Sequence, residues 1–149
     1  MGNRCFVPLT GGEINPITVP NPAAGANWSY TLPVSYEQEI RALECKLTCA
    51  AAAGNRAPKF QILSPGGAVL WEVAFSVAST TGQVSVFSLW LDCPRSNYSF
   101  IIPGGNHEYN DGLPFVRLVP GCVVASAFLL LNVADQFSDI SLVTHMWRV

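Results

Sequence analysis

The chain has 149 residues, of which 50% are hydrophobic and only 12% charged, and its net charge is −2. Typical soluble domains carry about 25% charged residues, so we expect a surface with few solvating groups that a partner covers. The alternative is a monomer that is simply apolar. The few cations form no cluster, which argues against sequence-independent nucleic-acid binding and against attachment to anionic membranes. The length favours one domain with a core of its own.

The cysteines indicate the redox environment in which the chain folds. The sequence contains Cys5, Cys45, Cys49, Cys93 and Cys122. An odd number of cysteines, with no secretory signal before them, predicts free thiols in a reducing cytosol. Because no histidine stands at zinc-finger spacing from the second and third, we interpret these thiols as small buried hydrophobic groups rather than metal ligands. No apolar run approaches the roughly 18 residues of a membrane-spanning helix.

Residues 1–26 differ in composition from the rest of the chain. Their prolines and glycines exclude a regular helix, and their apolar content is too high for a solvated linker. We therefore predict an extended N-terminal arm over residues 1–26 and a β-sandwich domain over 27–149. The arm can lie on a neighbouring molecule or on its own domain. The residues predicted to make its contacts are Phe6, Val7, Ile14, Ile17 and Val19.

Residues 36–50 fit two patterns. Apolar side chains recur there at helical spacing among good helix formers such as Glu39 and Arg41. The same stretch also alternates as a strand, with Leu43, Cys45 and Leu47 on one face. Because the neighbouring segments have the pattern of strands, we predict a strand here as well.

The remaining chain shows short alternating segments separated by turn signals. One begins at Trp28, and the others are predicted at 59–63, 68–77, 84–91, 98–102, 115–119, 123–133 and 140–149. About eight strands at short, even spacing predict an all-β fold, an antiparallel β-sandwich or jelly roll. Residues 84–91 are apolar on both faces, which indicates burial on both faces or a position at an interface.

Residues 103–112 form the most polar stretch and are predicted to be a loop. His107 with Glu108 or Asp111 could support hydrolysis, and the carboxylates could bind calcium. Adjacent residues of an extended chain point to opposite faces, however, so we interpret the stretch as a solvated turn. We predict no catalytic residue, no metal site and no cofactor, and hence no enzyme.

The chain has four tryptophans: Trp28, Trp71, Trp90 and Trp147. Rows of aromatic side chains on a β-sandwich can bind sugars, which leaves a carbohydrate- or receptor-binding module as an alternative. Such side chains are more often core or interface anchors. Within the domain, the residues predicted to bind a partner are Trp71, Phe87, Leu89 and Trp90.

Two turn motifs carry a resemblance to a known class of proteins. Gly54-Asn55-Arg56-Ala57-Pro58 precedes an alternating strand, and Pro120-Gly121 leads into a strand that ends near Ala134-Asp135-Gln136-Phe137-Ser138. With a last strand closing the chain, residues 28–149 resemble the small β-sandwich virion proteins of tailed bacteriophages, the capsid decoration or cement type in particular.

The resemblance implies a non-enzymatic homo-oligomer, a dimer or trimer, that clamps subunits of the major capsid protein. It implies assembly in the host cytoplasm and a final location in the virion, with no catalytic residue or cofactor. The N-terminal arm departs from the pattern. It is either the clamp itself or a feature that places the protein at the neck or tail of the virion.

Overall fold

The computed structural model describes residues 12–49, 54–79, 81–91, 98–102, 106–128 and 132–149. These residues form twelve strands and no helix, so the predicted all-β fold is confirmed, with more strands than the eight expected. The strands are β1 (Glu13–Val19), β2 (Ser29–Thr31), β3 (Tyr36–Thr48), β4 (Gly54–Arg56), β5 (Pro58–Leu63), β6 (Val69–Ala74), β7 (Val77–Ser79), β8 (Val84–Leu91), β9 (Tyr98–Ile102), β10 (Asn106–Leu113), β11 (Val123–Phe128) and β12 (Gln136–Arg148). Within these described residues, there is no helix long and apolar enough to cross a membrane.

The strands form two principal sheets. The six-stranded sheet has the order β1-β12-β3-β8-β10-β9, and the four-stranded sheet has the order β2-β11-β5-β6. A small third sheet pairs β4 with β7. The strand pairs of the two principal sheets are antiparallel, as predicted, except that β8 and β10 are parallel. The six-stranded sheet is therefore mixed.

Aromatic side chains join the two principal sheets into a sandwich. Phe60 on β5 of the four-stranded sheet lies 5.3 Å from Phe87 on β8 of the six-stranded sheet, measured between ring centroids. Phe75 contacts both rings, and Tyr109 on β10 stacks on Phe87 at 5.2 Å. Because both sheets contribute rings to this cluster, the core lies between them.

The ambiguous stretch 36–50 is a strand over Tyr36–Thr48, as predicted. Leu43, Cys45 and Leu47 are buried, whereas the residues between them are partly or fully exposed. This alternation is the strand pattern, and backbone pairing with β12 on one side and β8 on the other satisfies the main chain. Tertiary pairing therefore overrides the helical spacing.

Two predicted segments were wrong. Of the predicted loop over residues 103–112, residues 106–112 belong to strand β10, which lies between β8 and β9, and residues 103–105 lie outside the described residues. Asn110 and Asp111, whose types suggested a turn, are buried there. Residues 115–119 are not a strand, since their pairing consists of one bridge from Leu118 to Gln38.

Part of the predicted arm belongs to the domain's own sheet. Strand β1 (Glu13–Val19) pairs antiparallel with β12 at an edge of the six-stranded sheet. Pro16 is tolerated there because an edge strand leaves one side of its backbone unpaired. Of the arm residues predicted to contact a partner, Phe6 and Val7 lie outside the described residues. The division into an arm of 1–26 and a domain of 27–149 stays a prediction.

A buried ion pair joins the two turn motifs of the sequence. The Arg56 guanidinium donates to both oxygens of Asp135, at 2.6 Å from Nε and 3.2 Å from Nη2. The side chains are 5% and 0% exposed, respectively. The same carboxylate accepts the backbone N–H of Asn132 at 3.1 Å, and the Gly25 N–H donates to the Asp135 carbonyl at 2.8 Å. The pair thus connects β4, the turn before β12 and the arm.

Three of the cysteines, Cys45, Cys49 and Cys122, are buried thiols outside any disulfide, which confirms their interpretation as small core side chains. Burial raises the pKa of Cys45, and the neighbouring charge of Glu44 raises it further. Burial also raises the pKa of Cys122, partly offset by a hydrogen bond with the Val119 backbone. Within the described ranges, no group of three or more histidine, cysteine or acidic side chains could hold a metal ion.

We expect Cys45 and Cys122 to resist alkylation in the folded protein. Only the thiolate reacts, and both burial and a raised pKa reduce its population and accessibility. With iodoacetamide near pH 8, labelling of both should be about a hundredfold slower than in urea. Peptide mass mapping over time measures the two rates. Equal rates in native buffer and in urea would contradict the buried position of these thiols.

Candidate interaction surface

The six-stranded sheet has an outer face that points away from the core. Gln38 on β3 points inward, where its amide lies 3.5 Å from the Tyr30 hydroxyl on β2. Side chains alternate along a strand, so Glu37 and Glu39 lie on the outer face. Across the ladder, Trp147 of β12 pairs with Glu37 and His145 with Glu39.

A pocket of about 260 Å³ opens on this face, and we call it the outer pocket. Strands β3 and β12 and the segment after β10 bring together its lining residues, which are Glu39, Arg41, Phe115, Arg117, His145 and Trp147. These positions are far apart in the sequence. Only the register between β3 and β12, together with the bridge from Leu118 to Gln38, makes them neighbours.

Each cation in the outer pocket is paired with a carboxylate. Arg117 Nε lies 2.6 Å from Glu37 Oε2, and its guanidinium lies over the Trp147 ring at 4.3 Å from the centroid. Arg41 Nε lies 2.9 Å from Glu39 Oε1. Because the charges are balanced, the pocket presents aromatic surface with little net charge, which suits a polypeptide better than a free anion.

Two buried polar atoms in the outer pocket accept or donate no hydrogen bond. One is Glu39 Oε1, whose close approach to Arg41 is an ion-pair contact without hydrogen-bond alignment. The other is Nε2 of His145, a residue only 2% exposed. The His145 ring packs on Trp147 with centroids 4.0 Å apart. A buried polar group without a hydrogen bond is costly, which makes these two atoms exceptions among the buried polar groups of a folded chain.

Next to the pocket, the loop before β3, the segment after β10 and the residue after β12 carry apolar side chains in contact with solvent. The Val149 N–H donates to the Ser35 carbonyl at 3.1 Å, which places the chain after β12 beside the loop before β3. The segment after β10 lies against β3 through Leu118, which exchanges backbone hydrogen bonds of 2.7 and 3.0 Å with Gln38. The exposed residues that we call the end patch are Val34, Phe115, Val116, Val119 and Val149.

The residues predicted to bind a partner do not form one surface. Val19, Phe87 and Leu89 are 4%, 0% and 0% exposed, so they are core residues, and their side chains leave no surface for a partner. Their apolar strands face the opposite sheet, and that arrangement buries them. This corrects their assignment from sequence.

The other predicted residues are divided between the two sheets. Ile14 and Trp90 are each 40% exposed on the six-stranded sheet. Ile17 and Trp71 are partly buried against the core, Trp71 on β6 of the four-stranded sheet. Trp71 and Trp90 therefore share no platform, and the role of the exposed pair stays a prediction.

Sequence reasoning missed the end patch because residues 115–119 were assigned to a strand. The available signal was Pro114 and Pro120, which flank the short apolar segment. Proline removes a backbone donor, so such a segment cannot pair along its whole length and leaves apolar side chains outside the sheet.

No known protein family matches the chain, and no curated protein matches it. A chain of the T13 particle of infectious bursal disease virus aligns with 91% of it at 9% identity and a TM-score of 0.38. PfGH50B aligns with 94% at 11% identity and a TM-score of 0.34, and the Gx strain of infectious bursal disease virus with 90% at 9% and 0.33. The chain spans 32%, 23% and 40% of those chains, respectively. Similarity this weak identifies neither a family nor a function.

Proposed function

We propose that the protein is a non-enzymatic structural protein of a virion, of the capsid decoration type, which bridges subunits of the major capsid protein. The observation that carries the proposal is the end patch, where Val34 is 83% and Phe115 is 76% exposed. A chain with so few charges gains little from keeping such a surface in water. The turn motifs that resemble decoration proteins favour the virion as its setting, at the capsid or, as an alternative, at the neck or tail.

The physical gain from covering the end patch is large for a small surface. Burying a fully exposed valine or phenylalanine side chain contributes about 1.5–3 kcal/mol. Aromatic residues at the centre of an interface usually carry most of its binding energy. We therefore expect Phe115 to anchor contacts with a second copy or with the capsid.

The first test measures self-association. The wild-type chain should be a dimer or trimer by sedimentation equilibrium, and Phe115→Asp should weaken association by about tenfold or more, because a charge would be buried in an apolar contact. Val69→Asp is the matched control, since Val69 is also an exposed apolar side chain but lies on β6 of the other sheet. An equal loss of self-association in both variants would show that the end patch is not part of the interface.

The second test uses capsids. Purified wild-type protein should co-sediment with empty capsids assembled from the major capsid protein of the same virus, and Phe115→Asp should not. Failure of the wild-type chain to bind such capsids would contradict the decoration role. Binding that Phe115→Asp leaves intact would place the contact elsewhere on the molecule.

A second candidate is a carbohydrate- or receptor-binding module, which the outer pocket favours. Its aromatic rings, Phe115 and Trp147, lie beside the polar groups of Glu39 and Arg41, a combination that sugars can use. Against it, the Trp147 ring is already in contact with Arg117 and His145. Glycan-array binding that is lost in Trp147→Ala would favour this candidate over the first.

A further inference from the structure

We propose that the free edge of β6 binds an extended strand of another protein, with a basic or neutral residue of that strand opposite Glu72. The added strand extends the four-stranded sheet through backbone hydrogen bonds. This surface is separate from the end patch, and the proposal does not depend on the virion role proposed above.

Two residues of β6 direct their backbone groups away from the sheet. The Phe75 N–H donates to the Pro58 carbonyl at 2.9 Å, which sets the residues of this antiparallel ladder that face β5. Because backbone groups alternate along a strand, Val73 bonds to β5, and the N–H and C=O groups of Glu72 and Ala74 point to the open side. Among the described residues, no strand pairs with β6 on that side. An extended backbone is the partner whose donors and acceptors match such an edge.

The β6 edge lacks the features that usually protect an edge strand, which are short length, proline and lysine. Strand β1 contains Pro16, and β2 spans only three residues. Strand β6 spans six residues without proline or lysine, and Val69 and Leu70 are each 54% exposed. Among the edges whose side chains the structure describes, β6 is therefore the one open to a further strand.

Glu72 disfavours a second copy of β6 as the added strand. In an antiparallel pair about a twofold axis, residues with outward backbone groups must lie opposite each other. The register centred on Glu72 places two Glu72 carboxylates directly opposite, and like charges in that position are destabilising. A register centred on Val73 overlaps only residues 72–74, and one centred on Trp71 needs regular pairing at Leu70, where the ladder with β5 has a bulge. A strand of different sequence has none of these restrictions.

The surroundings of Glu72 define the residue that fits opposite it. Its carboxylate accepts from Lys59 Nζ at 2.9 Å and from Gln61 Nε2 at 2.6 Å, and these hydrogen bonds lower the pKa of Glu72. Glu72 is thus ionised at neutral pH, and an acidic residue opposite it would add repulsion without supplying a donor, whereas lysine or threonine supplies one. On the core side, Trp71 and Val73 are only partly buried, so apolar residues next to that lysine or threonine would cover their exposed area.

Amide hydrogen exchange in the full chain tests whether the edge is open. The amides of Glu72 and Ala74 should exchange about a hundredfold faster than those of Trp71 and Val73, which bond to β5, at every protein concentration. Equal protection of all four amides would show that the edge is already paired. Protection of Glu72 and Ala74 that grows with protein concentration would assign the edge to a second copy. Either result overturns the proposal.

Peptide binding tests the chemistry of the partner. The probe is the capped peptide Ser-Thr-Val-Lys-Val-Thr-Ser, titrated into the ¹⁵N-labelled full chain. We expect chemical-shift changes centred on Glu72 and Ala74, with exchange of both amides slowed about tenfold near saturation. Two matched peptides are the controls. Glutamate in place of the lysine should weaken binding about fivefold, and N-methylation of the lysine, which removes the donor to the Glu72 carbonyl, should weaken it about tenfold.

The variant Glu72→Gln separates charge from backbone pairing. Glu72 and Lys59 are both partly exposed, so the variant should fold like the wild type. It should bind the lysine and glutamate peptides within about twofold of each other. No binding of the lysine peptide at millimolar concentration, or equal binding of the N-methylated peptide, would remove the edge site. A wild-type chain that does not prefer lysine to glutamate would contradict the proposed chemistry of the partner. None of these measurements involves capsids, so the virion role is tested separately.

Discussion

Replacing Asp135 with alanine is expected to lower the free energy of unfolding by about 3–5 kcal/mol. The substitution leaves the Arg56 guanidinium, 5% exposed, without its bidentate partner inside the protein. It also leaves the Asn132 N–H without its acceptor. Removing the carboxylate takes away two hydrogen bonds that offset the burial of this charge, so we expect a loss in the range for a broken buried ion pair.

Chemical denaturation followed by circular dichroism measures this loss. Lys46→Ala is the matched control, because Lys46 also pairs with an aspartate, Asp139, at 2.7 Å, but both side chains are exposed at 41% and 62%. Water screens such a pair, and we expect no measurable change. If the two variants unfolded at the same urea concentration, the Arg56–Asp135 pair could not be buried as described.

Replacing Phe87 with alanine is expected to cost about 3–5 kcal/mol, the range for a large aromatic removed from a core. Phe87 has no exposed surface and contacts the rings of Phe60, Phe75 and Tyr109 at 5.2–5.3 Å. Since this cluster joins the two sheets, the cavity would open between them. A domain of this size is stable by only about 5–15 kcal/mol, so the variant should be recovered in low yield.

Phe115→Ala is the control for this substitution, because it removes the same side chain from a position that is 76% exposed. Surface substitutions of this kind change stability by about 0.5 kcal/mol or less. Thermal unfolding of the two variants at matched concentration measures the contrast. A large loss in Phe115→Ala, measured at a concentration where the protein is monomeric, would show that residues 115–119 pack more tightly than their exposure indicates.

Two strands could be predicted from the sequence with the bounds that the structure has. Residues 84–91 and 98–102 were predicted as strands, and β8 and β9 have those same limits. Burial of one face imposes a period of two on the sequence, and glycine- or proline-containing turns mark the ends. Strand β10, residues 106–113, could not be predicted in this way because it buries polar side chains. Their burial depends on tertiary contacts and leaves no alternating pattern in the sequence.

The outer pocket could not be predicted from the sequence, for a reason of geometry. Glu39, Arg117 and Trp147 become neighbours only through the register of β3 with β12 and the bridge at Leu118. No spacing along the chain encodes that register. The ion pair of Arg56 with Asp135 could not be predicted either. Both residues belong to the turn motifs that carry the resemblance, but nothing in either motif shows that the two side chains are in contact.

The position of β12 next to the edge strand β1 has a consequence for the order of folding. This strand lies between β1 and β3, although β1 begins at Glu13 and β12 ends at Arg148. Strand β1 therefore cannot pair with β12 until the ribosome has synthesised residues 136–148. Pairing between such distant segments must overcome a large loss of chain entropy, which slows folding and lengthens the time that apolar strands stay exposed. We therefore expect β1 to be the strand that completes its pairing last when the chain folds during synthesis.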